Sequence, residues 1–289
     1  MGFRFGVRTF LLALPLFASC AQPQPEAEAI DTAPQRIISV VPSATEMLLA
    51  FGIADRLIAV GDYDHVPAEF GVRPRIGGLL NPNVEKIIEY KPDLVITYGS
   101  QEVLEQRLSA LKIKIHPYTH GNVEETLEYM SDLGKLVGRE QQAGEVVGRI
   151  RETFAQIQSG RGTTQPKVLL VHNRALGTLG AFYSVGARAF QHELIGIAGG
   201  LNIFGDVDKE VVQPSLEEII QRAPDVIIET LPSGTPAREV EPRIADWKKL
   251  SKLPAVRKNQ IYIVSEDYML VPGSRLDLAA MKFAEALRQ

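Results

Sequence analysis

The chain of 289 residues has one cysteine, Cys20, and one tryptophan, Trp247. A single cysteine excludes an internal disulfide and any C-x-x-C redox or zinc motif. The sequence also has no G-x-S-x-G, no H-E-x-x-H, no phosphate-binding loop and no G-x-G-x-x-G. It therefore offers no familiar nucleophile, zinc-hydrolase or nucleotide-binding arrangement. Histidines number five and are scattered. His116 and His120 have i,i+4 spacing, but Pro117 lies between them and opposes a shared helical face. Capture of zinc or manganese would want more histidine and carboxylate ligands than this. Neither charge dominates, since 31 basic against 35 acidic residues leave a net −4, so composition gives no reason to expect nucleic-acid binding. No run reaches the roughly 20 apolar residues that cross a bilayer as a helix.

A short apolar stretch does occur at the start. Arg4 and Arg8 precede Thr9–Phe17, and Ala18, Ser19 and Cys20 follow. A basic region, a short apolar core and small residues make an export signal. Phe17-Ala18-Ser19-Cys20 resembles a bacterial lipobox, with Phe17 where leucine is usual. On that reading residues 1–19 are removed and Cys20 becomes a lipidated N-terminus. The alternative is a signal cut slightly further on, with Cys20 incidental. Residues 20–34 are polar and rich in Pro and Ala and read as a tether.

From Gln35 onward strand and helix patterns alternate. Arg36–Val41, Leu57–Val60, Asp93–Thr97, Lys112–His116, Lys167–Val171 and Gln260–Val264 read as short strands. Ser43 with Glu46 three residues on predicts a capping box, for a helix running to Phe51. Asn81-Pro82-Asn83 predicts a helix start with Pro82 in the first turn. Gln101–Leu111, Ala189–Ala198 and Leu276–Arg288 complete the helices. This alternation predicts an α/β fold with parallel sheets.

The second half repeats the first. Asn81–Thr97 (NPNVEKIIEYKPDLVIT) aligns with Gln213–Glu229 (QPSLEEIIQRAPDVIIE) at a constant offset of 132 residues, matching Glu85 to Glu217 and Asp93 to Asp225. Both copies read as cap, short helix, Pro-Asp turn and buried strand. Between the halves, Glu140–Gln158 has helical apolar spacing at Val146, Val147, Ile150, Phe154 and Ile157. The organisation predicted is an N-terminal lobe (35–138), one long connecting helix (139–160) and a C-terminal lobe (161–289). Parallel sheets place ligands beyond the carboxyl ends of their strands, which here means a cleft between the lobes.

RIISVVPSATEMLLAFG, Asp62–Pro67, Pro74–Glu85, KPDLVIT, LIGIAGGLNIF (194–204) and Ser265–Tyr268 together resemble the helical-backbone periplasmic binding proteins of importers for cobalamin, haem and iron-siderophores. The cobalamin binders are the most similar. The resemblance covers nearly all of 35–289 and implies a non-enzymatic binding protein, monomeric, without a resident cofactor. Its cargo would be a cobalt corrinoid or ferric chelate, handed to a permease dimer with its ATPase. By themselves Asp62, Tyr63, Asp64 and His65 would read as a solvated turn. The resemblance instead puts Tyr63 in the cleft, with Leu79, Tyr98, Tyr183, Asp267, Tyr268 and Arg275. Leu79 and Val211 stand where the best-known cobalamin pocket has aromatics, and Gly78 stands where haem transporters place an iron-ligating tyrosine. Siderophore binders often use a basic cluster, for which Arg174, Arg188 and Arg275 are the candidates. Corrinoid ranks first, siderophore second and haem third. Glu85 and Glu217 need be no more than first-turn glutamates favoured by the helix dipole; the resemblance makes them the permease-docking carboxylates, one per lobe. Two other roles on this architecture are metal-ion capture and ligand sensing.

Overall fold

The computed structural model describes residues 1–2, 33–99 and 101–288. Residues 3–32, which hold Cys20, nearly all of the leader and nearly all of the tether, lie outside the described residues. In the first lobe the order is β1 (Ile37–Ser39), α1 (Pro42–Ala50), β2 (Leu57–Val60), α2 (Val84–Glu89), β3 (Leu94–Tyr98), α3 (Glu102–Ala110), β4 (Lys114–Tyr118) and α4 (Val123–Leu136). The long helix α5 (Glu140–Ser159) follows. The second lobe contains β5 (Lys167–Val171), β6 (Ser184–Val185), α6 (Phe190–Ile197), β7 (Leu201–Asn202), β8 (Val211–Val212), α7 (Leu216–Arg222), β9 (Val226–Thr230), α8 (Val240–Lys248), α9 (Pro254–Arg257), β10 (Ile261–Val264) and α10 (Leu276–Leu287). Two four-stranded sheets result, ordered β2-β1-β3-β4 and β10-β9-β5-β7, with every pair parallel. The small β6–β8 pair is antiparallel. Central strands such as β3 and β9 are buried along nearly their whole length, as parallel strands covered on both faces must be.

Two predicted helix starts come out differently. Helix α1 begins at Pro42, which supplies a fixed φ and lacks the N–H that a cap would satisfy. Ser43 is buried inside the helix and caps nothing. Glu46 turns instead to the start of α10, where its carboxylate accepts from Arg275 Nη2 at 2.7 Å, the Arg275 amide at 3.0 Å and Ser274 Oγ at 3.0 Å. A charged guanidinium outcompetes a serine amide for that carboxylate. In α2 the cap is Asn83, whose Oδ1 accepts from the Lys86 amide at 3.0 Å. Pro82 therefore precedes the cap and lies outside the first turn.

The internal repeat has a structural basis. Asp93 Oδ2 accepts from the Gln35 amide at 2.7 Å, and Asp225 Oδ2 accepts from the Lys167 amide at 3.1 Å. In each lobe the Pro-Asp turn thus ties down the entry to the first strand, and Pro92 and Pro224 are both buried.

Helix α5 buries Ala143, Val146, Ile150, Phe154 and Ile157; Val147 is half-buried. At 1.5 Å per residue it runs about 30 Å. Helix α4 packs on it closely, because Gly134 leaves no room for a side chain: a Cβ there would meet Ala143 Cβ at 2.3 Å. Helix α10 packs along it as well, and Arg149 of α5 reaches Asp277 (3.0 Å) and the Ser274 carbonyl (2.7 Å). One continuous apolar core results, holding Ile37 and Val95 of the first sheet, Ile150 of α5, Phe283 of α10, and Val168 and Ile228 of the second sheet.

A second core lies on the far side of the second sheet, around Phe182, Phe204 and Trp247. A buried ionic network sits beside it. Glu229 accepts from Arg174 Nε (2.9 Å), Arg243 Nη1 (2.7 Å) and Trp247 Nε1 (2.8 Å), and Arg174 also reaches Asp246 at 3.0 Å. Removing one partner from such a group strands buried charge. Glu229→Gln is expected to lower unfolding free energy by about 3–5 kcal/mol. Urea denaturation should show this as a lower midpoint with an unchanged slope.

Candidate functional site

The carboxyl ends of the strands face one another across the lobes. Tyr98 ends β3 and Tyr118 ends β4, with His120 two residues on; in the second lobe His172 and Asn173 follow β5. A cavity of about 370 Å³ opens here, with His120 on one side and His172, Tyr183, Phe190, Val211 and Leu270 on the other. It falls at the lower end of the 300–1,000 Å³ range of small-molecule sites. Glu210 completes the wall, and its Oε1 lies 3.1 Å from His120 Nδ1, so one polar contact spans the lobes at the cavity.

Local backbone fixes that wall. Tyr183 is bridged to His172 through reciprocal backbone bonds of 2.7 and 3.0 Å. Glu210 precedes β8, and its carbonyl accepts from Gly186 at 3.1 Å. A Cβ on Gly186 would meet the Lys209 carbonyl at 2.3 Å. Only glycine lets the loop carrying Glu210 lie directly on β6.

The aromatic groups on the first-lobe side form a cluster. His120 sits edge-on to Tyr98 at 5.0 Å and to Tyr118 at 5.7 Å. Burial pushes the Tyr118 hydroxyl up to about 12. Tyr98 is raised by burial and then by the charge of Glu210. Burial lowers His172 to about 4, so its ring is neutral. Its Nδ1 lies 2.5 Å from Thr230 Oγ1, and that hydroxyl donates to the Val171 carbonyl at 3.2 Å.

The residues assigned from the sequence are distributed unevenly. Tyr183 and Val211 are in the cavity wall, and Tyr98 reaches it through His120. Tyr63 is exposed on the loop after β2, over Gly78. Leu79 is half-buried, and its carbonyl and that of Tyr98 share the Gln101 amide at 3.1 Å each. Arg275 is held by Asp267 (2.8 and 3.1 Å) and Glu46. Tyr268 lies instead in a separate recess beside Leu278 and Lys282 of α10. The three arginines do not converge: Arg174 is sealed in the Glu229 network, Arg188 faces Asp208 at 3.6 Å, and Arg275 is committed to two carboxylates. Among the described residues no group of three or more His, Cys, Asp or Glu could hold a metal ion, and no helix is long and apolar enough to cross a membrane. Sequence reasoning missed Glu210, Phe190 and Leu270 as wall residues; none carries a motif, and only the fold brings them together.

Beneath the Tyr63 loop lies a buried acid. Asp64 Oδ2 accepts from the Gly61 amide at 2.5 Å, and Arg75 Nη1 clamps the loop through the carbonyls of Gly61 (2.5 Å) and Asp64 (2.6 Å). Burial raises Asp64 from 3.8 to about 7, against the lowering effects of Gly61, Thr45 and Arg75. The folded-state value is above the unfolded one, so stability from the protonated acid is complete below about pH 4 and is lost as pH rises through about 7. Wild type should lose stability relative to Asp64→Asn by up to about 1.4 kcal/mol per pH unit between pH 5 and 7, then level off. Urea midpoints of the two proteins across that range check it; a constant difference would exclude titration of Asp64.

A family model described as periplasmic binding protein matches residues 37–268. The vitamin B12-binding protein of Photorhabdus laumondii is 32% identical over 199 residues, covering 68% of this chain and 70% of that protein. Two solved structures from Vibrio cholerae share the fold. The periplasmic haem binding protein superposes with TM-score 0.76 at 21% identity, over 88% of this chain and 99% of that one. The periplasmic vitamin B12 binding protein gives TM-score 0.73 at 22% identity, over 89% and 99%.

Proposed function

Since the chain belongs to the periplasmic binding protein family, whose members are solute-binding proteins and not enzymes, we propose that it captures a cobalt corrinoid of the vitamin B12 kind between its lobes and delivers it to the permease of an ABC importer. The observation that carries this reading is the wall of the cleft. Tyr183, Phe190, Val211 and Leu270 supply aromatic and aliphatic surface, and no arginine or lysine stands among them. A flat, largely uncharged macrocycle suits such a wall. A ferric siderophore, which is commonly anionic, would want cations, yet Arg174, Arg188 and Arg275 are each paired to carboxylates. Haem would want an axial ligand where this chain has Gly78. The B12-binding relative supports the same ranking.

In this reading the protein works outside the cytoplasm, attached to a membrane through lipidated Cys20. Tyr63, Leu79 and Tyr98 form the first-lobe side of the ligand site and Tyr183 the second. Glu85 and Glu217, each in the first turn of a short helix at matched places in the repeat, meet the permease dimer. Two equivalent carboxylates on a pseudo-two-fold body complement basic groups related by the dimer's own axis.

The body from Ala33 on is one compact unit, so the chain starting at Ala21 serves for titration with cyanocobalamin, haemin and ferric siderophores. Cyanocobalamin should saturate it, and Tyr183→Ala should weaken that binding about tenfold, near 1.4 kcal/mol. Saturation by haemin or a ferric siderophore with no cobalamin binding would overturn the reading. Reversal of both glutamates, Glu85→Lys with Glu217→Lys, should abolish uptake in cells and leave affinity unchanged; unimpaired uptake would remove the docking role.

A further inference from the structure

We infer that Glu210 sets the charge selectivity of the cleft, admitting neutral or cationic amide-bearing ligands and rejecting anionic ones. Among the described residues, Glu210 is the only acidic or basic side chain other than histidine in the cavity wall. His172 is held neutral there. The charge of Glu210 also reaches across the cleft, since it helps to raise both Tyr98 and Tyr118 on the opposite lobe. Arg188, in the loop packed on that of Glu210, faces Asp208. Near Asp267, Arg275 is outnumbered by two carboxylates.

The backbone that carries the carboxylate is also held in place. The amides of Gly186, Ala187 and Arg188 donate to the carbonyls of Glu210, Val207 and Lys209 at 3.1, 2.8 and 3.1 Å, so the loop cannot easily swing the charge away. Among the described residues only one of the carboxylate oxygens is engaged, by His120 Nδ1. The other can accept an amide N–H from a ligand's periphery, whereas a ligand carboxylate in that position meets repulsion. Discrimination by a built-in repulsive group is an established route to specificity, and like charges juxtaposed at an interface weaken binding strongly.

This inference rests on the corrinoid reading, and the test separates the two. Affinities are measured for cyanocobalamin (neutral overall), diaquacobinamide (cationic) and haemin (two propionates), with wild type, Glu210→Gln and Glu210→Lys. In Glu210→Gln, relative to cyanocobalamin in the same variant, diaquacobinamide should weaken about fivefold and haemin should tighten about fivefold. Glu210→Lys should exaggerate both shifts; if it fails to fold, the isosteric glutamine variant decides alone. Corrinoid binding with no change for the two charged ligands overturns the inference and leaves the reading intact. Absence of corrinoid binding in wild type overturns the reading, and the haemin arm then judges Glu210: unchanged haemin affinity overturns its role, and a gain upholds it.

Discussion

Ala143, Val146, Ile150, Phe154 and Ile157 all face inward from α5, and the core they join holds side chains of both sheets. Separate lobes on flexible strands would each close their own core and leave polar surface between them. Here the apolar seam runs unbroken from β1 through α5 and α10 to β5, so opening the lobes widely means exposing it. At roughly 25 cal/mol per Å² of apolar surface, that exposure opposes large hinge motion. Glu46 adds a polar fastening at the same seam, reaching from α1 to the start of α10. The cleft is therefore shaped mainly before a ligand arrives, which suits recognition by a preformed wall.

Charge is divided between two tasks. Deep in the second lobe, Arg174, Arg243, Glu229 and Asp246 pair with one another with little exposure, and their loss would lower stability before it altered recognition. At the cleft, Glu210 is the one acidic side chain in the wall among the described residues, half exposed and in contact with His120. There it stands on a surface a ligand can reach, unlike the sealed charges of the second lobe. That difference makes Arg174 unavailable to a ligand and Glu210 influential toward one.

The amino-acid order made much of this fold legible. Lys167–Val171 and Leu57–Val60 emerged with the bounds their apolar runs implied, and α5 runs one residue past the Glu140–Gln158 segment of helical spacing. These segments are decided locally, by period and by flanking turn residues. Ser43 and Glu46 show where local reasoning stops: their spacing matches a capping box, yet the glutamate is claimed by Arg275, far off in the chain. Helices α4 and α8 and the β6–β8 pair went unread, the last because two-residue strands carry no period. Tyr183 and Val211 could be placed in the wall by resemblance. Glu210 could not, because its position depends on a loop laid over Gly186, a relation between distant backbones with no sequence signature.

The internal repeat can now be divided by cause. Asp93 and Asp225 match because each binds an amide at the entry to its lobe's first strand. Pro92 and Pro224 match because each is buried at the same turn. Ile87 and Ile219 match as fully buried core residues. Glu85 and Glu217 remain. Glu85 makes an exposed ion pair with Arg107 at 2.8 Å, worth about 0–1 kcal/mol, and Glu217 has no ion pair among the described residues. The dipole of a short helix favours an acid in its first turn but does not require it at that position: Glu218, next along, already serves the Ser215 capping box. Folding thus accounts for every identity just named except the two glutamates, and an exposed pair that stability leaves unexplained is where selection by a partner surface would act.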